Sequence, residues 1–427
     1  MALLIRNGRV VDPASATDGV RDILIRGSKV EAVRPKIDAP GAETVEAAGL
    51  VVAPGFIDLH VHLREPGQTA KETILTGSRA AAKGGFMTVC AMPNTTPPHD
   101  HPEVIAFVTA EAGRAGLVRV LPVGALTKGL RGVELADFEA LLKAGAVAFS
   151  DDGKCIQDEA LMGRAMESAR KVGSLVIDHC EDSALAAGGV IHDGAVSRRL
   201  GLRGIPSAAE DVMVARDIRL AEAVEARVHI AHLSTRGAAE LVRAAKRRGV
   251  PVTAEVTPHH LLLTESSLEG RNPNFKMNPP LRGADDAAAL LEAVRDGTID
   301  VFATDHAPHP AAEKSAGIEG APFGVVGLET AVSLLLDRLV GRNVLSLDRF
   351  VAMWTSRPAE VLGRGELGRV APGAEADLTL LDLDRQVVVD SAAFASKGRN
   401  TPFEGWTLRG APVLTVRGGR VIYPFPS

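Results

Sequence analysis

Apolar and polar residues alternate with a period of two at both ends of the chain, the pattern of half-buried strands. Leu3-Leu-Ile-Arg-Asn-Gly-Arg-Val-Val-Asp-Pro reads as two β-runs around an Asn-Gly turn, and Asp22-Ile-Leu-Ile-Arg-Gly-Ser repeats the pattern. Near the other end Val413-Leu-Thr-Val-Arg-Gly-Gly-Arg-Val-Ile-Tyr-Pro echoes the first stretch, and Ala376-Asp-Leu-Thr-Leu-Leu-Asp-Leu adds a further run. Neither end alone has enough residues to bury a core. The simplest arrangement is one small β-sandwich domain built jointly by residues 1–52 and 366–427.

Between these flanks the period changes. Eight short β-like runs, at 55–60, 87–92, 118–123, 146–150, 175–179, 228–232, 252–257 and 300–305, alternate with segments rich in Ala, Glu, Arg and Leu. The latter predict helices over 72–83, 135–143, 158–171, 209–225, 237–248 and 287–296. Alternating strands and helices signal a parallel sheet, and eight units point to an α/β fold of the (β/α)8 TIM-like type over residues 53–365. A doubly wound open sheet is the rival, but the first strand carries no GxGxxG phosphate turn. Polar residues gather where most of these strands end, the face on which a barrel carries its active site.

The composition is that of a folded globular protein, with 46% apolar and 24% charged residues. The formal charge of −5 and a densest basic cluster, Lys246-Arg247-Arg248, at the end of a helical pattern leave no footprint for nucleic acid. No apolar stretch approaches the roughly 18–20 residues of a membrane span, and the first residues lack the features of a signal peptide. A cytoplasmic protein without a membrane partner is expected. The three cysteines, Cys90, Cys155 and Cys180, form no CxxC pair, so a metal site must draw on histidine and carboxylate.

Asp58, His60, His62 and Arg64 alternate in Asp58-Leu-His-Val-His-Leu-Arg, which puts all four on one side of a strand or its extension. Neutral imidazoles at i and i+2 can share one ion. Of the 12 histidines, His179 ends the fifth run and His232 the sixth, while Asp305 ends the eighth. Residues far apart in sequence thus converge on one rim. Two cations about 3.5–4 Å apart need an anionic bridge, and the fourth run supplies the pair Asp151-Asp152. Among the remaining histidines, His99 and His101 in a proline-rich loop are expected to be solvated, and His229 to pack outward. His259-His260 falls at the same rim, as a pocket residue or a structural one, and His306 is expected to be structural or to support a ligand.

The chain resembles the amidohydrolase superfamily and, more closely, its dihydroorotases with a barrel-borne two-metal centre. The motifs that carry the resemblance are Pro54-Gly-Phe-Ile-Asp-Leu-His-Val-His-Leu-Arg-Glu-Pro-Gly, Met92-Pro-Asn-Thr, Phe149-Ser-Asp-Asp-Gly, Asp178-His-Cys-Glu-Asp, Ala231-His-Leu-Ser, Met277-Asn-Pro-Pro-Leu-Arg and Thr304-Asp-His-Ala-Pro-His. The resemblance implies two divalent ions, zinc by family expectation: His60 and His62 on the first, His179 and His232 on the second, and Asp305 on the first as proton carrier. Many relatives bridge the ions with a carboxylated lysine, and here no lysine lies between Gly145 and Gly153. That favours the branch with an aspartate bridge, which the spacing to His179 resembles when Asp152 is the bridge and Asp151 a supporting or structural residue; Asp151 as the bridge is the alternative.

The implied reaction is the reversible hydrolysis of (S)-dihydroorotate to N-carbamoyl-L-aspartate, the third step of de novo pyrimidine synthesis. The residues expected to touch substrate are His62, Arg64, Asn94, Asn278, His309, Phe323 and Gly324. Arg64, Asn94 and His309 take the carboxylate; Asn278 and the backbone at Phe323-Gly324 take the ring amides. The bland rivals are a surface ion pair of Arg64 with Glu65 and ordinary turn or cap roles for Asn94 and Asn278. The rival functions are another cyclic amidohydrolase, a hydantoinase or allantoinase, and a non-catalytic subunit, although such subunits typically lose ligands that this chain retains. The implied assemblies are a homodimer or a complex with aspartate transcarbamoylase. Residues 309–324, rich in small side chains, read either as a mobile lid or as an ordinary connection.

Overall fold

The structure, a computed structural model, describes residues 2–425. It opens with five strands, β1 (Ala2–Asp12), β2 (Thr17–Arg26), β3 (Lys29–Arg34), β4 (Glu43–Glu46) and β5 (Val51–Pro54). The Asn-Gly pair expected to turn the chain is instead a bulge inside β1, where the register to β2 shifts between Ile5 and Gly8 and Asn7 takes a φ of 60°. The cause is a change of partner on the other edge: β1 pairs in parallel with β4 through residues 3–6 and then with β5 through Arg9 and Val10. Asn7 is fixed there by its N–H donating to Asp22 Oδ1 (2.9 Å) and its Nδ2 donating to Glu46 Oε1 (2.8 Å).

Gly55 carries the chain from β5 directly into the barrel, in a space where a Cβ would lie 2.4 Å from Met87 Cγ. The barrel strands are β6 (Phe56–Val61), β7 (Phe86–Ala91), β8 (Arg119–Pro122), β9 (Gly124–Ala125), β10 (Phe149–Ser150) and β11 (Val176–Asp178). After a small side pair, β12 (Ile191–His192) and β13 (Gly204–Ile205), come β14 (Val228–Ile230), β15 (Val252–Val256) and β16 (Val301–Phe302). Parallel ladders run β6-β7-β8 and β9-β10-β11-β14-β15-β16. β8 and β9 are two parts of one stave: the Val123 N–H between them donates to Ala91 O on one side, and the Gly124 N–H to Ala148 O on the other, each at 2.9 Å. The remaining seam closes where the His62 N–H donates to His306 O (2.9 Å) and Asp58 accepts from Thr304 N (3.1 Å) and Oγ1 (2.6 Å). Eight staves therefore close, as the alternating pattern predicts.

Helices follow the staves and bury one face each. In Arg236–Arg247, capped by Thr235, the buried residues are Ala238, Ala239, Val242 and Ala245, a single stripe at helical spacing. The basic cluster at its end is used locally, with Lys246 Nζ 2.6 Å from Asp300 Oδ2. At the N-terminal ends of β6 and β7, Phe56 and Phe86 pack with Phe350 and Trp354, ring centroids 5.0–6.4 Å apart. That end is closed by apolar packing, which leaves the opposite rim for chemistry.

The last strands, β17 (Leu378–Val388), β18 (Thr407–Arg417) and β19 (Arg420–Tyr423), return to the starting sheet. Its order is β19-β18-β17-β5-β1-β2-β3, with β4 beside β1, so the two ends of the chain build one sheet. Ile5, Val10, Ile23, Ile25 and Val52 from one end share a core with Leu378, Leu380 and Val416 from the other. The sequence echo between the ends has two structural outcomes: a bulge at Asn7-Gly8 and a hairpin turn at Gly418-Gly419, where φ is 52° and 76°. No helix among the described residues is long and apolar enough to cross a membrane.

Candidate metal centre

Six side chains named from sequence meet at the C-terminal rim of the barrel, every one of them buried. His60 lies on β6 and His62 just beyond it; Asp152 follows β10, His179 follows β11, His232 follows β14 and Asp305 follows β16. Donor atoms of five of them form two overlapping groups within 4.8 Å of one another, His60–His62–Asp305 and His60–Asp152–His232, and His179 lies outside both groups, beside His232. Asp152 stands between them. Its Oδ1 is 3.3 Å from His60 Nε2 and 3.7 Å from His232 Nε2, and its Oδ2 is 3.5 Å from His62 Nε2. Asp305 Oδ1 is 3.1 Å from His62 Nε2, and His179 Nδ1 is 2.9 Å from His232 Nε2.

The neighbours of these histidines decide which nitrogen is offered. His60 Nδ1 donates to Glu255 Oε1 at 2.7 Å, and His62 Nδ1 donates to Asn94 Oδ1 at 2.8 Å, which leaves each Nε2 with a lone pair facing the carboxylates. His60 Nε2 and Asp152 Oδ1 are buried with no hydrogen-bond partner. Lone pairs and carboxylate oxygens turned on one another repel unless positive charge lies among them. Burial raises the Asp152 carboxyl, but the surrounding imidazoles, His60 first and then His232 and His62, outweigh burial and hold it well below the usual carboxylate range. This donor set, imidazole nitrogen and carboxylate oxygen without thiolate, is that of a divalent metal centre.

The adjacent aspartate is spoken for. Asp151 Oδ1 accepts from Leu126 N (2.8 Å) and Thr127 N (3.0 Å), and its Oδ2 accepts from Thr127 Oγ1. It ties β10 to the end of β9 and faces away from the histidines. Burial pushes its carboxyl up to about 6 despite these bonds.

A cavity of about 210 Å³ opens above the cluster. It is lined by every residue expected to touch substrate, namely His62, Arg64, Asn94, Asn278, His309, Phe323 and Gly324, and by Asp152, His179, His232 and Asp305. Arg64 is buried, its Nη2 is 3.4 Å from His309 Nε2, and its Nε has no partner. The ion pair with Glu65 does not form: Glu65 Oε2 accepts instead from Ile74 N (2.8 Å), at the start of the next helix. Asn94, besides holding His62, directs Nδ2 toward Asp152 Oδ2 at 3.4 Å. Asn278 donates Nδ2 to Glu181 Oε2 at 2.9 Å, which leaves its Oδ1 buried, unpartnered and free to accept. His309 lies against Glu313 Oε2 through Nδ1 (2.7 Å), and burial together with the Arg64 charge pushes it down to about 3.

Two expectations for histidines fail. His99 is fully buried and bonded through Nδ1 to Val123 O (2.9 Å); its loop folds back over the stave instead of into water. His229 faces inward, its Nε2 3.2 Å from Glu255 Oε2 and its Nδ1 2.8 Å from Thr253 Oγ1. Alternation counted back from His232 gives the wrong side because His232 lies beyond β14 with a φ of 29°, where strand parity no longer holds. Arg64 (φ 60°) and Asp305 (φ 46°) share this left-handed backbone, each at a cost on the order of 1–3 kcal/mol. His259 and His260 are both buried, His260 against Pro279 O and Thr257, and His306 supports Glu72 at 3.3 Å.

Sequence reading missed the residues that hold the named ones. Glu255 alone serves three groups: His60 Nδ1, His229 Nε2 and the His232 N–H (3.1 Å). Burial raises its carboxyl, and the charges and hydrogen bonds of His60 and His229 override this and push it down to about 2. Asn400, from the far end of the chain, accepts from His309 N (3.1 Å) and donates to Ala307 O and Gly324 O (3.0 Å each). A carboxylate inside Val252-Thr-Ala-Glu-Val-Thr, an otherwise apolar stave, was the available signal for Glu255. Asn400 gave none.

A closed parallel barrel joined to a β-domain from both chain ends, with a His and Asp cluster at its C-terminal rim, defines a metal-dependent amidohydrolase. Solved structures agree: L-hydantoinase (dihydropyrimidinase) from Arthrobacter aurescens superposes with a TM-score of 0.89 at 28% identity, over 98% of this chain and 95% of that one. D-hydantoinase (dihydropyrimidinase) from a Thermus species gives 0.85 at 27% identity, over 98% and 94%. The sequence relatives are narrower. A family model described as dihydro-orotase-like matches residues 49–238. A dihydroorotase of Pelotomaculum thermopropionicum is 53% identical over 99% of this chain and 98% of its own length, and one of Bacillus cereus is 48% identical over the same shares. The chain belongs to the dihydroorotase family.

Proposed function

We propose that this site opens and closes the ring of dihydroorotate, interconverting it with N-carbamoyl-L-aspartate, on two divalent ions, with zinc the expected metal. His60, His62 and Asp305 would hold one ion, His179 and His232 the other, and Asp152 would face both. Bound there, the ions supply a nucleophile from water at neutral pH and polarise the ring carbonyl. The protein's own groups do the rest. Asp305 takes the proton released as water attacks and delivers it to the departing ring nitrogen, and in the reverse direction it removes that proton. Asn278 Oδ1, turned inward by Glu181, accepts from a ring N–H, and the backbone at Phe323-Gly324 pairs with the remaining ring amide. Asn94 and His309 flank the carboxylate.

The observation that carries the substrate assignment is Arg64. A guanidinium that is buried, makes no ion pair among the described residues and leaves Nε unpartnered calls for an anion. Dihydroorotate brings a carboxylate beside its ring; a neutral hydantoin does not. Arg64→Ala is expected to raise KM for dihydroorotate about 10- to 100-fold, the worth of a charge-assisted hydrogen bond, and to leave any turnover of hydantoin unchanged. Steady-state kinetics on both substrates decide it, and an equal loss on both would refute the carboxylate assignment.

A further inference from the structure

The segment 309–324 brings His309, Phe323 and Gly324 to the wall of the cavity, and the segment 273–278 brings Asn278. Between them lies a side chain that the reaction does not use. Lys314 is 4% exposed and makes no ion pair among the described residues; its Nζ donates to Pro273 O (3.0 Å), Lys276 O (3.1 Å) and Pro322 O (2.9 Å). Three ammonium hydrogens meet three carbonyls, two on one wall and one on the other. Burial, with the charge of Lys276, pushes this amine down to about 7, a cost that the three carbonyls oppose. The Lys276 carbonyl is shared, since it also accepts from Gly324 N at 3.0 Å.

We propose that Lys314 is a positioning residue for the ring subsite: its ammonium sets the spacing between Asn278 and the Phe323-Gly324 backbone. The inference rests on the substrate reading given above. The rest of the segment is held independently. Asn400 pins its two ends through His309 N and Gly324 O, and Ile318 packs with Ile191, Val196 and Leu268. Lys276 Nζ adds a bond to Glu319 O (3.0 Å). Removing Lys314 therefore takes away two of the bonds between the walls, Nζ to Pro273 O and to Lys276 O, and loosens their relation, while Gly324 N–H to Lys276 O and Lys276 Nζ to Glu319 O remain and the segment stays pinned. Residues 309–324 are in this reading a latched wall, neither a loose lid nor a passive connection.

The test compares the metal-loaded full chain with Lys314→Met, which fills the space without donors, and Lys314→Gln, which keeps one amide donor. Lys314→Met is expected to raise KM for dihydroorotate about 10-fold, with kcat within about 3-fold and metal content unchanged. Lys314→Gln is expected to fall between, and it carries the comparison if the methionine variant does not fold. Hydrogen exchange of the Gly324 amide is expected to quicken in both. An unchanged KM with unchanged exchange overturns the proposal, as does a fall in kcat that tracks lost metal. If the unaltered enzyme does not turn over dihydroorotate, the substrate reading fails, and the Gly324 exchange alone then decides whether Lys314 latches the two walls.

Discussion

Asp305→Asn is expected to lower kcat for dihydroorotate hydrolysis by roughly 10³-fold, within the 10²–10⁴ that a positioned acid or base supplies. Asparagine keeps the shape and one oxygen at the place where Asp305 Oδ1 lies 3.1 Å from His62 Nε2 and 3.7 Å from His60 Nε2. What it loses is the ability to take up a proton. Metal content and KM should therefore stay close to those of the unaltered enzyme while kcat collapses. Paired elemental analysis and steady-state kinetics read the two effects separately. A kcat within about 10-fold of the original would remove Asp305 from proton transfer, because no other carboxylate among the cavity-lining residues but Asp152 is placed to replace it.

Asp152→Ala is expected to act earlier, on the metals themselves. Asp152 is the carboxylate that faces His60, His62, His179 and His232 together, with contacts of 3.3, 3.5, 3.9 and 3.7 Å. Without it four imidazoles would have to hold two cations with only Asp305 as counter-charge. Loss of at least one ion per chain is expected, with a fall in kcat of about 10³-fold or more, the scale of charge stabilisation that a metal contributes. Asp151→Asn is the control: its carboxylate bonds Leu126 and Thr127, so metal content should hold. Full metal in Asp152→Ala and metal loss in Asp151→Asn would reverse the assignment of the bridge.

The parts of the site legible in sequence are those that sit on strand ends in a regular register. His60 and His62 could be read from alternation, and Asp305 from its place at the end of the eighth run, because period-two geometry and barrel topology fix where such residues point. The supporting shell obeyed no such rule. Glu255 reaches His60 across 195 positions of sequence and Asn400 reaches His309 across 91, so only the closed fold brings them together. His229 was misread for a local reason, the left-handed turn at His232 that breaks strand parity. At the N-terminus, Asn-Gly has the composition of a hairpin turn, but a change of parallel partner from β4 to β5 makes it a bulge. Local signals thus located the strands and the side chains that cluster at their ends, whereas tertiary partners decided how those side chains are held.

The most direct test of the metal centre is elemental analysis of metal per chain, combined with dihydroorotate turnover before and after chelation. About two divalent ions per chain, activity lost on chelation and recovered with added zinc, is the result expected of a cluster organised around Asp152. Turnover that survives complete removal of metal would contradict that centre outright.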